Sequence, residues 1–434
     1  MKKGAIVMGK TYQITEYGSF VRDREVQGCI PLPQGTFDAL ESFILTNSSR
    51  DTDALELMGL SARKGIGKII TAKNYVGVIS MDDGTTIEIL PKIYSSEAED
   101  TGKTKKLLVE MLKTLRNSPF KSLQTTNVDI EKMSIFEVFI RMFIDEVFFI
   151  VKRGLKCNYE TVQSNQNVFK GKLKFSEQIR YNYAHKERSY VEYDEFNINR
   201  VENKLLKSTL LYLYRHSVLS KNKNDIRTLL NYFIEVEESV DYAGDYAKIV
   251  PERNTKDYDT ALQWSKVFLM GKSFTSFSGS EVAFSLLFPM ETLFESYIAT
   301  QMNRLLKGTD CTLSAQDRKY HLFDEPSKRF LMKPDIVIRN RTNKMIFIMD
   351  TKWKVLTDTK SNYGISQADM YQMYAYQKKY NAANVTLIYP MTDKVENKTI
   401  SYQSDDGVIV RICFADLYHL KESLMQIVDM CYEN

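Results

Sequence analysis

The sequence predicts a multidomain α/β and α+β protein. A β-rich N-terminal domain is expected over residues 1–95, a largely helical middle region over 96–280, and a C-terminal domain over 281–434 in which helices and strands are mixed. Three observations predict this. At 434 residues the chain is too long for one ordinary hydrophobic core. Its apolar residues recur with period two near the N-terminus and at spacings of three and four in the middle. The last third reads helix, hairpin, helix, strand, helix, an α/β arrangement.

In the first segment, YVGVISMDDGTTIEILPKI (Tyr75–Ile93) places two β-branched runs around Asp83-Gly84, a hairpin signal. The polar stretch SSEAEDTGKTKK (Ser95–Lys106) reads as a linker. In the middle region, LLVEMLKTLRN and Ile135–Lys152 carry helical periodicity, with Gly154 placed to end the second helix. NVFKGKLKFSEQIRYN and the start of SYVEYDEFNINRVENKLLKSTLLYLY read as extended pieces feeding a long helix that Asn199 could cap, and DIRTLLNYFIEVEESV supplies another. In the last third, Pro289 opens an amphipathic helix to Leu306. A hairpin covers Lys333–Lys354, Ser366 caps a helix to Tyr380, VTLIYP is a buried strand, and Phe414–Tyr432 is a closing helix.

Composition narrows the class. The chain is 43% hydrophobic and 26% charged with nine prolines, as soluble globular proteins are. A net charge of +4 is permissive for a nucleic-acid partner without requiring one. Cys29, Cys157, Cys311, Cys413 and Cys431 form no CxxC pair, which argues against a disulfide framework or a zinc site. The four histidines are not at ligand spacing with one another, so histidine-based metal chemistry is not expected. MKKGAIVMGKTYQITEYGSF lacks the apolar core of a signal peptide, and Arg141, Asp145 and Glu146 interrupt the most lipid-like run, Ile135–Gly154. A cytoplasmic protein with no membrane partner is expected.

Two glycine motifs are decoys. GIGK (Gly65–Lys68) and GKT (Gly102–Thr104) lack the first glycine of GxxxxGK[ST], with Ala62 and Glu97 in its place. No nucleotide is expected on this chain.

The stretch KPDIVIRNRTNKMIFIMDTKWK (Lys333–Lys354) carries the chemistry. Read as two strands turning at Arg341–Lys344, it brings Asp335 and Asp350 to one edge, and period-two alternation puts Lys352 on the same face as Asp350. Two adjacent carboxylates repel unless a cation separates them, and Mg²⁺ accepts hard oxygen ligands while keeping waters for chemistry. Polar strand ends are the plainer reading of the same residues. On the preceding helix Glu291 and Glu295 are i and i+4. Glu295 lies beside the apolar set Leu293, Phe294, Tyr297, Ile298 and Leu305, where it is either an exposed glutamate or a carboxylate needing a partner. On the following helix Gln372 and Tyr376 are also i and i+4, either half-buried residues or groups that position a phosphate. Arg318, Lys319, Lys328, Arg329 and Lys333 precede the hairpin's end, and Lys354, Lys360, Lys378 and Lys379 follow it, as cations near a phosphate site or as ordinary surface.

Taken in order, Glu295, Pro334-Asp335, Asp350-Thr351-Lys352 and Gln372…Tyr376 resemble the PD-(D/E)xK nucleases, whose fold is a mixed sheet flanked by helices, and QxxxY resembles their RecB-like branch. More closely, PMETLFESYI, KPDIVI, MDTKWK and ADMYQMYAY are similar to the C-terminal blocks of the McrC family, the nuclease subunit of McrBC-type restriction systems. VGVISMDDGTTIEILPKI and FKGKLKFSEQIRYN with YVEYDEFNINRVENKLLKSTL extend the resemblance over residues 75–434. The resemblance implies a Mg²⁺-dependent endonuclease acting on double-stranded DNA, with Asp335, Asp350 and Glu295 as metal ligands, Lys352 acting on the nucleophile or transition state, and Gln372 and Tyr376 positioning substrate. It also implies a McrB-like AAA+ GTPase hexamer as partner, carrying the GTP and the choice of DNA site, with docking through the N-terminal domain. A partner-independent RecB-like repair nuclease and a non-catalytic adaptor activating a GTPase ring are the alternatives.

Overall fold

The computed structural model describes residues 10–47, 57–81, 84–93, 100–115, 119–122, 131, 133–250, 253–270, 282–396 and 399–432. Among them the chain is mixed α/β, with several sheets and eleven α-helices. It divides into two compact units, one built from 1–138 with 273–434 and the other from 139–272.

The first unit holds three main sheets. Strands β1 (Thr11–Thr15), β2 (Ser19–Arg22) and β3 (Cys29–Leu32) precede helix α1 (Gln34–Asn47), and β4 (Met58–Arg63), β5 (Gly67–Ala72), β6 (Tyr75–Met81) and β7 (Thr86–Leu90) follow it. One sheet runs β3-β2-β5-β4. Phe20, Leu32, Phe37, Leu40, Ile70, Ile79 and Ile87 belong to one buried cluster that joins these strands to α1 and to the second sheet. The β6–β7 hairpin pairs Ser80 with Thr86, and Gly84 takes the left-handed conformation its turn needs (Asp83 lies outside the described residues). Gly65 and Gly67 serve the β4–β5 turn in the same way, so GIGK is turn chemistry.

The expected linker is helical from Thr101 on; Ser95–Glu99 lie outside the described residues. Asp100 caps α2 (Thr101–Lys113) by accepting from the Gly102 and Lys103 backbones. Lys105, read as a solvated linker residue, is instead buried and pairs with buried Glu88 at 3.1 Å. A buried ammonium needs such a partner, and none is visible from local sequence.

Helix α3 (Ile135–Arg153) leads into the second unit and ends at Gly154, at φ 86°. Strand β8 (Asn158–Gln166) pairs along its whole length with β10 (Ser189–Asn197). Short β9 (Lys172–Leu173) and helix α4 (Phe175–Asn182) lie between them in sequence, so FSEQIRYN is helical rather than extended. Helices α5 (Val201–His216), α6 (Ser220–Leu230), α7 (Tyr242–Lys248) and α8 (Asp259–Met270) pack with Phe139, Phe143, Trp264 and Phe268 in the interior. Asn199 does not cap α5. Its side-chain oxygen accepts from the Glu237 backbone, while Asn203, inside the helix, donates to the Lys156 and Ile198 carbonyls. Among the described residues no helix is long and apolar enough to cross a membrane.

The chain then returns to the first unit. Strand β11 (Val282–Pro289) pairs antiparallel with β6, completing the order β1-β7-β6-β11. Helix α9 (Met290–Leu305) follows directly, with Pro289 at its N-cap and Leu293, Phe294, Tyr297 and Ile298 buried. The third sheet has the order β12-β15-β16-β17-β19-β18. It uses β12 (Cys311–Ala315), β15 (Ile336–Asn340), β16 (Ile346–Thr351), β17 (Asn384–Pro390), β18 (Thr399–Gln403) and β19 (Ile409–Ala415), while β13 (His321–Phe323) and β14 (Arg329–Leu331) form a separate ribbon. Strands β16, β17 and β19 are parallel neighbours; the other pairs are antiparallel. Val337, Ile348, Val385, Leu387 and Ile412 pack with Met373, Tyr376 and Tyr380 of helix α10 (Gln367–Tyr380). The alternate residues Ile336, Ile338, Phe347 and Met349 are buried too, so both faces of the sheet are covered. Phe414 belongs to β19, and the closing helix α11 begins only at Leu420 and runs to Tyr432. Ser366 precedes α10 but makes no side-chain cap bond.

Candidate active site

The hairpin β15–β16 pairs Ile336 with Met349, and one step further across the same ladder stand Asp335 and Asp350. The Lys352 backbone N–H donates to the Ile388 carbonyl at 2.9 Å, carrying the β16–β17 pairing past the strand end. Lys352 therefore keeps the side of the sheet that Asp350 occupies, and its ammonium lies 2.7 Å from the Asp350 carboxylate. Asp350 is only 2% exposed. Asp335 accepts both the backbone N–H and the hydroxyl of Thr351, each at 2.8 Å and on the same oxygen.

Helix α10 meets this edge. The Lys352 ammonium reaches the Gln372 side-chain carbonyl at 3.4 Å, and the Gln372 amide donates to the Tyr376 hydroxyl at 2.8 Å. Five of the six residues named from the sequence, Asp335, Asp350, Lys352, Gln372 and Tyr376, thus form one connected set. The sixth, Glu295, lies half-buried on α9 and accepts from the Gln316 side-chain amide at 2.8 Å. Glu291 is directed elsewhere: it is exposed and accepts from the Asn74 side chain at 2.6 Å.

The charges interact strongly. Burial, then Glu295, pushes Asp335 up to about 6, against the pull of the two Thr351 donors and Lys352. Burial, then Asp335, pushes Asp350 up to about 6, against the pull of Lys352. Burial alone pulls the Lys352 ammonium down, but Asp350, Asp369 and Asp335 together hold it above its ordinary value. Burial, followed by the charge on Asp350, raises Tyr376 to about 12, so it stays a neutral phenol.

Three groups of this site escaped sequence reading. Asp369 lies 3.6 Å from the Lys352 ammonium. With Gln372 and Tyr376 it falls at i, i+3 and i+7 of one helix face, a spacing that could have revealed it. Gln316 ties Glu295 to the sheet edge, because its own backbone N–H donates to the Asp335 carbonyl at 2.7 Å from a left-handed φ of 51°. Trp353 stacks at a tilt on Phe294, with centroids 5.3 Å apart, and donates its indole N–H to fully buried Glu16 at 3.1 Å. Neither of the last two leaves a local sequence signal.

Among the described residues no three carboxylate, imidazole or thiol groups converge closely enough to hold a metal ion. Glu295 is held by Gln316, and its charge acts directly on Asp335. The aspartate pair by itself fits a hard divalent cation. Its donors are all oxygen, both carboxylates resist ionisation because burial is joined by a neighbouring acid, Glu295 for Asp335 and Asp335 for Asp350, and a Mg²⁺ site uses one or two carboxylates with waters completing the shell.

A mixed α/β chain with an acid–acid–lysine cluster at one sheet edge is the class that fold and site define. Residues 70–390 match the family described as McrBC 5-methylcytosine restriction system component, and the chain belongs to that family. No curated protein matches it in sequence. In structure it is similar to a chain of a half-complex from a tetradecameric assembly of Thermococcus gammatolerans McrB AAA+ hexamers with bound McrC. The TM-score is 0.70 at 19% identity, over 96% of this chain and 100% of that one. It is also similar to a chain of the Thermococcus gammatolerans McrBC complex, with a TM-score of 0.50 at 19% identity over 67% and 86%.

Proposed function

We propose that the chain is the DNA endonuclease subunit of a GTP-dependent restriction system, a PD-(D/E)xK enzyme that hydrolyses phosphodiester bonds of double-stranded DNA with Mg²⁺. The observation that carries this reading is the convergence of Asp335, Asp350 and Lys352 at one sheet edge, backed by Gln372 and Tyr376. Asp335 and Asp350 would hold the metal, which when bound polarises a phosphoryl oxygen and lowers the pKa of its water. Glu295 supports the site through Gln316 and its charge on Asp335. Because its neighbours keep Lys352 an ammonium, its part is to stabilise charge building on the phosphoryl oxygens rather than to take a proton. Gln372 and Tyr376 hold that ammonium in place and offer polar groups to the phosphate.

The partner in this reading is a McrB-like AAA+ GTPase hexamer that selects and moves the DNA. Family membership supports it, as does the similarity to chains from assemblies whose names contain McrB hexamers and McrC. Docking through the N-terminal domain stays part of this reading, and the second unit offers a further surface suited to a protein partner: Tyr159, Phe169, Phe175, Ile179, Tyr183 and Phe196 are all large apolar residues left exposed along β8, β10 and the segment between them.

The test is cleavage of methylated and unmethylated DNA by the chain with a McrB-like partner, GTP and Mg²⁺. Wild type should cut and Asp350→Ala should not, while both should assemble with the partner. Cutting that needs no partner selects a RecB-like repair nuclease. Stimulated GTP hydrolysis without any Mg²⁺-dependent cutting selects a non-catalytic adaptor.

A further inference from the structure

The ribbon β13–β14 is inserted between two residues that belong to the candidate site. Gln316 precedes it and Asp335 follows it, and the Gln316 backbone N–H donates to the Asp335 carbonyl, so both ends of the insertion start at the sheet edge. The neck is closed by Met332 N–H on the Tyr320 carbonyl at 2.9 Å. Helix α10 steadies it: Tyr320 packs edge-on against Tyr380 with centroids 4.5 Å apart, and Lys379 pairs with Asp324 near the tip.

The ribbon shows two aromatic rings to solvent. Phe323 is 54% exposed and Phe330 is 73% exposed, and the two rings meet edge to face at 5.9 Å. Phe330 also holds a left-handed φ of 57°, a costly conformation for a bulky residue. Around them Arg318, Lys319, Lys328, Arg329 and Lys333 are exposed. Of the acids in the same segment, Asp317 is engaged by Arg339 and Tyr380, and Asp324 by Lys379, so the segment's charge is dominated by the five cations.

We propose that this ribbon grips duplex DNA beside the cut, its cations on the phosphates and Phe323 and Phe330 against base faces at a locally opened step. The proposal rests on the nuclease reading for its location but not for its chemistry. Cations on a two-stranded ribbon match a phosphate backbone, and exposed aromatic or apolar wedges are how proteins unstack and bend a duplex. Placement between Gln316 and Asp335 roots both strands of the ribbon at the acidic edge.

Binding of the full-length chain to a fluorescein-labelled duplex, without divalent metal and over a salt series, is the test, together with duplexes carrying 2-aminopurine. Lys328→Ala/Arg329→Ala should weaken binding about tenfold and make the salt slope shallower by about two units, near 0.9 for each phosphate no longer neutralised. Phe323→Ala/Phe330→Ala should keep the slope and abolish the 2-aminopurine fluorescence rise seen with wild type. Each altered side chain is exposed, and thermal melting confirms that the variants fold. Wild-type affinity, slope and fluorescence in both variants would overturn the proposal, as would no DNA binding by wild type. Loss of partner assembly with DNA binding intact would reassign the ribbon to a protein contact. If wild type binds as described but never cuts under any condition, the nuclease reading falls and the ribbon stands; if wild type cuts and the ribbon variants bind and cut equally well, the reverse holds.

Discussion

Thr351 gives both of its donors, backbone N–H and hydroxyl, to a single oxygen of Asp335. The residue between the aspartate and the lysine of Asp350-Thr351-Lys352 thus orients the other carboxylate of the pair. Thr351→Val keeps the shape and removes one donor. Asp335 should then resist ionisation further, and the Mg²⁺ concentration needed for half-maximal cutting should rise about 10- to 100-fold, as when outer partners of metal ligands are removed. A Mg²⁺ titration of cleavage checks this; an unchanged requirement would show that Thr351 serves only the strand.

The raised carboxyls make a prediction about pH. Asp335 and Asp350 stand at about 6 in the folded chain against an ordinary value of 3.8. Between those values the folded state binds more protons than the unfolded one, so stability falls as pH rises. The contribution is fully present below about 3.8 and is lost through about 6. Metal-free thermal melts should therefore show a loss of stability from these two groups across that window. Adding Mg²⁺ should restore it at pH 7 and do little at pH 5, and Asp335→Asn/Asp350→Asn should flatten the profile.

Glu16 makes a second, separate prediction. Burial raises it to about 7, although the Lys92 backbone N–H and the Trp353 indole both favour its charged form and Glu291 opposes it. Glu16→Ala leaves the two N–H groups without their acceptor in a dry place, at a cost of about 3 kcal/mol. Urea unfolding measures that. Glu16→Gln, which retains an acceptor for one of them, should recover part of it.

Gly77 is the sharpest steric test of the fold. At φ 137° in β6, a Cβ there would sit 2.0 Å from the Leu286 carbonyl of β11. Gly77→Ala should destabilise by roughly 3 kcal/mol or more, read as a lower urea midpoint at unchanged slope.

Legibility in the sequence followed the range of the interactions. The hairpin around Asp335 and Asp350 could be read because alternation and a polar turn are local, and Lys352 followed from the two-residue period. The helices bearing Glu295 and Gln372–Tyr376 showed their faces for the same reason. Strands β12, β18 and β19 were missed: β12 (CTLSA) and β18 (TISYQ) do alternate but are only five residues long, and β19 runs toward a genuine helix that drew Phe414 into it. Lys105 was read as solvated because its partner, Glu88, lies on another element. Gln316 owes its place to a left-handed backbone, and Glu16 meets Trp353 across 337 positions of chain. No window of sequence contains such pairs.

The Glu16–Trp353 contact also bears on how the chain can be divided. Strand β11 finds its partner in β6, and the tryptophan next to Lys352 finds its acceptor before residue 17. A fragment starting at 281 would carry Glu295, Asp335, Asp350 and Asp369, yet it would present an unpaired strand and a bare indole to water. The N-terminal sheets are in this sense the missing wall of the C-terminal half, and minimal versions of this protein should be made by shortening the inserted unit at 139–272 rather than by removing the beginning of the chain.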